Sequence, residues 1–457
     1  MRAPVIVFAG WLLGLPGAAD AAARMDPGEW ARARELPVGA TTTFADLPLG
    51  LSRGGAVRMQ RIDIYANDAK ILLATADGLR ELPRSDWLHF IADATVPGAP
   101  RMGLSLSADG REATGLVIAD DGRTLAISGK RGADGLALEV HDASRDAEGN
   151  PTRFACENHK LAWQQLGMPQ LPAPVVAAPD PGPQVATRTA TVAVDTDNEL
   201  LNLKFSDNTT NATNYLAQLF TGMNAIYERD LDLRLLQGTT ILRVSTTADP
   251  WAGGVGADPG DQLDEFGAFW QANQGAVQRA FAMLLSGKSA SNNSSSGIAW
   301  VLGGSNYCTS TNANGGHYSV SQVFKFAGSN ASHDLLVVAH EMGHNFGANH
   351  THCSNSSTGA GPASSNTIDQ CFNAESGFGC YGGAQACPAP ATVNGVSNVT
   401  GTLMSYCHLS GLPSCSSSQV FATAHRTLLN PRVANNVTNG CFAPISAGNN
   451  IFANGFE

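Results

Sequence analysis

The sequence predicts an α/β fold for the second half of the 457-residue chain, a mixed twisted sheet with packed helices, preceded by a β-rich domain. Three observations carry this reading. From about residue 24 to 170, short runs alternate apolar and polar residues, as in Val57-Arg58-Met59-Gln60-Arg61-Ile62-Asp63-Ile64, and Asp-Gly steps at 109–110, 121–122 and 134–135 separate them. Prolines then crowd the stretch 171–185. Beyond residue 186, strand-like and helix-like segments alternate, and one helical segment carries two histidines a turn apart.

Taken in order, residues 1–23 read as a signal peptide. Met1-Arg2 is a short basic start, Val5 to Leu15 is mostly apolar, and small residues at 19–23 suit cleavage. That run is too short to span a bilayer, and no later segment reaches the roughly 18 apolar residues required, so the mature form is expected to lack a membrane span. Residues 24–170 form the β-rich domain, and 171–185 an extended linker open to cleavage. Next come a strand at Thr189–Val194, an amphipathic helix at Ala212–Arg229 and a strand at Thr240–Val244. Leu263 to Leu285 contains a second helix, Ile298–Leu302 is a third strand, and Ser332–Asn345 is the histidine-bearing helix. Gly253 to Asp258 matches the start of a calcium-binding repeat, but that architecture needs stacked copies, so the stretch reads as a glycine-rich loop and Ca²⁺ has no support. Residues 443–457 form a C-terminal tail.

A net charge of −11 gives no electrostatic reason to expect nucleic acid as a partner. Eight cysteines, Cys308, Cys353, Cys371, Cys380, Cys387, Cys407, Cys415 and Cys441, lie in the last third, an even set suited to disulfides outside the cell. Cys156 stands alone upstream. Arginine outnumbers lysine and alanine is abundant, a bias that suggests a bacterial source.

The chemistry concentrates at His340-Glu341-Met342-Gly343-His344-Asn345-Phe346-Gly347-Ala348-Asn349-His350. A helix advances about 100° per residue, so His340 and His344 share one face, spaced to grip one ion, with Glu341 beside them. A continuous helix would carry His350 about 240° away from His344, so the chain must turn first. Gly347 accepts the positive φ of such a turn. From this composition, a chance match to the five fixed positions is expected on the order of 10⁻⁵ times per chain, which sets aside a helix with incidental histidines. Three imidazoles around Zn²⁺ leave one position open for water, and Glu341 is placed to take the proton of that water.

The eleven residues match the metzincin signature. The zinc helix, Gly297-Ile298-Ala299-Trp300-Val301 and Gly401-Thr402-Leu403-Met404-Ser405-Tyr406 resemble the edge strand and Met-turn of the reprolysin or adamalysin-like branch, over roughly residues 186 to 442. Thr351, where animal members of that branch carry Asp, departs from the pattern, and Tyr406 is similar to the tyrosine of astacins and serralysins. The resemblance implies a secreted zinc endopeptidase made as a zymogen, with protein or peptide substrates and its own propeptide as inhibitor. It places Met404 beneath the histidines, and substrate as an extended chain along Ile298, Ala299, Trp300, Val301 and Leu302. Tyr406 is a switchable ligand or oxyanion donor, or else a core tyrosine. A side-chain pocket is expected near His408, Leu409 and Leu412, and His352 is expected to face solvent or a pocket wall. The branch also implies a Cys308–Cys441 disulfide. If the eight downstream cysteines pair among themselves, Cys156 is left to block the zinc in the latent form, as in a cysteine switch, or to lie buried as a small apolar residue. The competing class is a secreted binding or adhesion protein on the same scaffold, for which Glu341 would have no chemical use. A third reading keeps the β-rich domain attached as a binding module.

Overall fold

The computed structural model describes residues 23–133, 135–145, 153–158, 186–291, 293–303, 306–309, 311–324 and 331–445. The expected signal peptide up to residue 22, the Pro-rich linker and the tail beyond 445 lie outside the described residues. Among those described, two large sheets organise the chain.

The larger sheet is built on Arg188–Thr196, which pairs in parallel with Leu233–Leu242 on one side and Phe281–Ser286 on the other. Val192, Ala193 and Val194 are all buried, so both faces of this strand are covered. Parallel neighbours require crossovers, which helices Thr209–Leu231 and Pro259–Asn273 provide. The first helix starts at Asn208, whose side chain accepts from the Asn211 amide. The second starts at Asp258 with Pro259 inside its first turn, where a missing N–H costs nothing. Phe281–Ser286 pairs in turn with Tyr318–Gln322, and Ser294–Ala299 runs antiparallel beside the latter.

Two differences from the sequence reading have clear causes. The helix within Leu263–Leu285 begins earlier and stops at Asn273, and Phe281–Ser286 is a fully buried strand. A short continuous apolar run carries no period that separates a buried strand from a buried helix. The strand expected at Ile298–Leu302 instead spans Ser294–Ala299. Trp300, Val301 and Leu302 lie beyond the strand, where side chains take two of the carbonyls: Asn345 donates to Trp300 O at 3.0 Å and Arg432 to Leu302 O at 3.0 Å.

The smaller sheet is antiparallel and comes wholly from the N-terminal part, with its own core of Phe44, Met59, Phe90, Leu104, Val117 and Ile127 among others. A helix not foreseen, Pro27–Glu35, is fixed at its start by a reciprocal Asp26–Glu29 capping box. The N-terminal part does not keep to its own sheet. Its hairpin Ile71–Thr75 and Gly78–Leu82 extends the larger sheet beyond Leu233–Leu242, and Arg153–Cys156 adds to the opposite edge, parallel to Ser294–Ala299.

The eight downstream cysteines form Cys308–Cys441, Cys353–Cys380, Cys371–Cys407 and Cys387–Cys415. Cys156 is free and buried.

Candidate metal centre and active site

Helix Ala331–Phe346 is pinned along its length. Near its start Asp334 meets Lys204 at 2.7 Å and the Tyr215 hydroxyl at 2.8 Å, and further along Tyr227 donates to Ala339 O at 2.7 Å. The helix ends at Gly347, where φ is 102°. A Cβ there would also lie 2.3 Å from Leu302 O, so glycine is required both for the turn and for the close approach. The turn brings His350 back to its two partners, with ring centroids 5.3 Å from His340 and 4.9 Å from His344.

Each of the three rings is oriented through Nδ1. His340 faces Leu403 O at 2.8 Å, His344 faces Ala348 O at 2.7 Å, and His350 faces Glu375 Oε2 at 2.9 Å. Carbonyl and carboxylate oxygens only accept, so Nδ1 carries the proton and each Nε2 keeps its lone pair. His340 Nε2 and His344 Nε2 lie 3.1 Å apart. The same Glu375 oxygen lies 2.9 Å from Nε2 of His352, expected to face solvent or a pocket wall, which is fully buried where it shares this carboxylate.

Cys156 completes the group. Its Sγ lies 3.4 Å from His344 Nε2 and 3.4 Å from Glu341 Oε2. The ligating atoms of Cys156, His340, His344 and His350 all fall within 4.8 Å of one another. Three imidazole nitrogens and one thiol match the donor chemistry of zinc. Burial, followed by the neighbouring histidines, holds His340 and His344 well below the usual imidazole range, which keeps them in the neutral, ligating form. Burial pushes the Glu341 carboxyl well up, and burial together with Glu341 does the same to the Cys156 thiol.

The strand carrying Cys156 is held closely. Arg153 to Cys156 pair with Ser294 to Gly297, Glu157 N donates to Gly297 O at 2.8 Å, and Asn158 Oδ1 accepts from Ala299 N at 2.9 Å. Tyr406 Oη accepts from Cys156 N at 2.8 Å and donates to Cys156 O at 2.5 Å. The Phe154 ring packs edge-on against His340 at 5.0 Å and stacks on His408 at 5.4 Å. Gly297 is forced by this arrangement, since a Cβ there would overlap the Glu341 carboxyl.

Met404 packs its sulfur against Gly343, between the first two histidines. Thr351 N donates to Met404 O at 3.0 Å, while its hydroxyl and that of Ser405 both donate to Asp369. Asp369 thereby ties the third-histidine loop to the loop around Met404. A cavity of about 490 Å³ adjoins Phe154 and is lined by His408, Leu403 and Leu336, but not by Leu409 or Leu412.

The family model of Reprolysin_5, metallo-peptidase family M12, matches residues 186–407, a span that contains all three histidines, Glu341, Met404 and Tyr406. This part of the chain is thus similar to metallo-peptidase family M12. No curated protein matches the chain. In the M12 domain, Glu375 and Asp369 are the residues that motif reading missed. The signal was their isolation: they are the only carboxylates between 351 and 442, and such a carboxylate needs a partner if the fold buries it.

Proposed function

We propose that the chain is a secreted zinc endopeptidase made as a zymogen, in which His340, His344 and His350 hold the ion and Cys156 occupies its remaining position until activation. The observation that carries this reading is the convergence of three Nδ1-anchored imidazoles on the Cys156 thiol. The match to a metallo-peptidase family supports peptide hydrolysis, and four disulfides with, among the described residues, no helix long and apolar enough to cross a membrane are consistent with secretion.

Zinc, when bound, supplies a Lewis acid that lowers the pKa of water at its open position. Glu341 takes the proton of the attacking water and passes it to the leaving amine. Substrate replaces Arg153–Cys156 on the edge Ser294–Ala299 and reads as an added strand. Tyr406, released from the Cys156 main chain, is then free to donate to the oxyanion. Met404 is the apolar floor beneath the histidines, and its loop is the Met-turn. Glu375 fixes the third ligand and raises its basicity.

The test compares the activated protein with its Glu341→Gln variant on casein, each with and without a zinc chelator. Chelation should abolish proteolysis and added zinc restore it. E341Q should keep its zinc and lose about 10²- to 10⁴-fold in rate. Full activity in zinc-loaded E341Q would overturn the mechanism.

A further inference from the structure

The N-terminal part touches the M12 domain in two unlike ways, and we propose that they have different fates. Residues 23–145 stay bound after processing as a permanent non-covalent subunit. Latency resides only in Arg153–Cys156 with Glu157 and Asn158. The second statement rests on the peptidase reading above; the first does not.

Residues 64–73 are merged with the larger sheet. Gln237 donates to Ile64 O at 2.7 Å and accepts from Ala66 N at 3.0 Å, Thr240 N donates to Lys70 O at 2.8 Å, and Ile71 to Leu73 continue the ladder. Ile64, Ile71, Leu73, Leu116 and Ile118 belong to the same core cluster as Leu233, Ile241 and Tyr227. Helix Thr209–Leu231 is buried between the two sheets: Gly103 and Leu116 lie against Thr221 and Gly222, and His89 reaches Thr221 Oγ1 at 2.8 Å. Arg101 pairs with Asp230 at 2.5 Å, with side chains 3% and 0% exposed. Loss of residues 23–145 would leave an open apolar sheet edge, an uncovered helix and a carboxylate stripped of its guanidinium. Such a contact resembles a core cut in half, the anatomy of an obligate interface.

The strand 153–156 is held differently, since only Phe154 and Cys156 enter that core, and they do so at the histidine cluster. Its partner edge, Ser294-Ser295-Ser296-Gly297, is polar and tolerates water once the strand leaves. That edge and the histidine cluster are also what a substrate would use. The cavity beside Phe154 is closed on one side by Asp121, Arg123 and Asp142 of the N-terminal unit and on the other by Leu403 and His408. A retained unit therefore keeps one wall of the substrate cleft.

The experiment uses the full precursor with a specific protease site placed after Asn158, or with a second site added between Arg145 and Arg153. After one cut, both pieces should co-elute in about 1 M salt and caseinolysis should stay low. After two cuts, the piece containing 153–158 should be lost and activity should rise at least about tenfold, while 23–145 still elutes one-to-one with the M12 piece. An active fraction lacking 23–145, or a doubly cut complex that becomes active only when 23–145 is stripped away, would overturn the proposal. If the zinc-loaded complex holds together but no form cleaves peptides, the peptidase reading fails and the permanent subunit stands.

Discussion

The two edges of the larger sheet are both finished by the N-terminal part of the chain, yet they are built from opposite materials. At one edge Ile71–Thr75 joins Leu233–Leu242 and its apolar side chains enter the common core. At the other edge Arg153–Cys156 lies on a run of serines, and its contacts are main-chain hydrogen bonds, the Tyr406 hydroxyl on Cys156, the Phe154 ring against His340 and His408, and a thiol aimed at the histidines. Burial of apolar surface dominates at the first, at roughly 25 cal/mol per Å², whereas at the second only Phe154 and Cys156 enter that core, beside the histidines. The same sheet thus combines a fixed seam with a removable one.

The largest way to break the fixed seam is Arg101→Ala, which leaves Asp230 buried beside Phe421 N without its guanidinium. Removal of one partner of such a pair should cost about 3 to 5 kcal/mol, read as a drop in the denaturant midpoint of the precursor. A change under about 1 kcal/mol would mean that the seam does not depend on this pair.

Acid attacks the same seam through His89. Burial, then the charge of Arg61, lowers its pKa to about 3, so the folded form stays neutral where an unfolded histidine, with its usual pKa of 6.5, takes up a proton. Its stabilising contribution is complete above pH 6.5 and is lost as pH falls towards 3, at up to about 1.4 kcal/mol per pH unit. His89→Gln should flatten the stability curve of the precursor between about pH 6 and 4 by that slope. An unchanged slope would assign the acid sensitivity to the other buried histidines.

The smallest effect sharpens the removable side. Glu375→Gln leaves the three ligands in place but weakens the acceptor for His350, and zinc affinity should fall about 10- to 100-fold with the fold intact. Competition with a chromogenic chelator measures it, and unchanged affinity would make Glu375 a mere partner of His352.

How far the sequence carried this account depends on distance along the chain. The helix Ala331–Phe346, its stop at Gly347 and the approach of His350 follow from local geometry, because periodicity and φ preference act within a few residues. The cysteine pairing between 308 and 441 came from a family resemblance, and spacing alone could not have chosen it. Its isolation in an uncharged stretch marked Glu375, but nothing local named its partners, which lie 25 and 23 residues upstream and are brought to it only by the fold. The hairpin 71–82 was equally hidden. Its Asp77-Gly78 step fits a turn between two short runs, but nothing local says which of two sheets they join. Phe281–Ser286 is the remaining case, an apolar run with no period to read.

On the proposed function, Cys156 and the three histidines hold one zinc ion in the latent chain. X-ray absorption on the zinc-loaded precursor tests it directly. Three nitrogen scatterers at about 2.0 to 2.1 Å and one sulfur at about 2.3 Å are expected, with the sulfur lost in Cys156→Ser and after release of residues 153–158. A precursor spectrum without sulfur, or one that Cys156→Ser leaves unchanged, would contradict it.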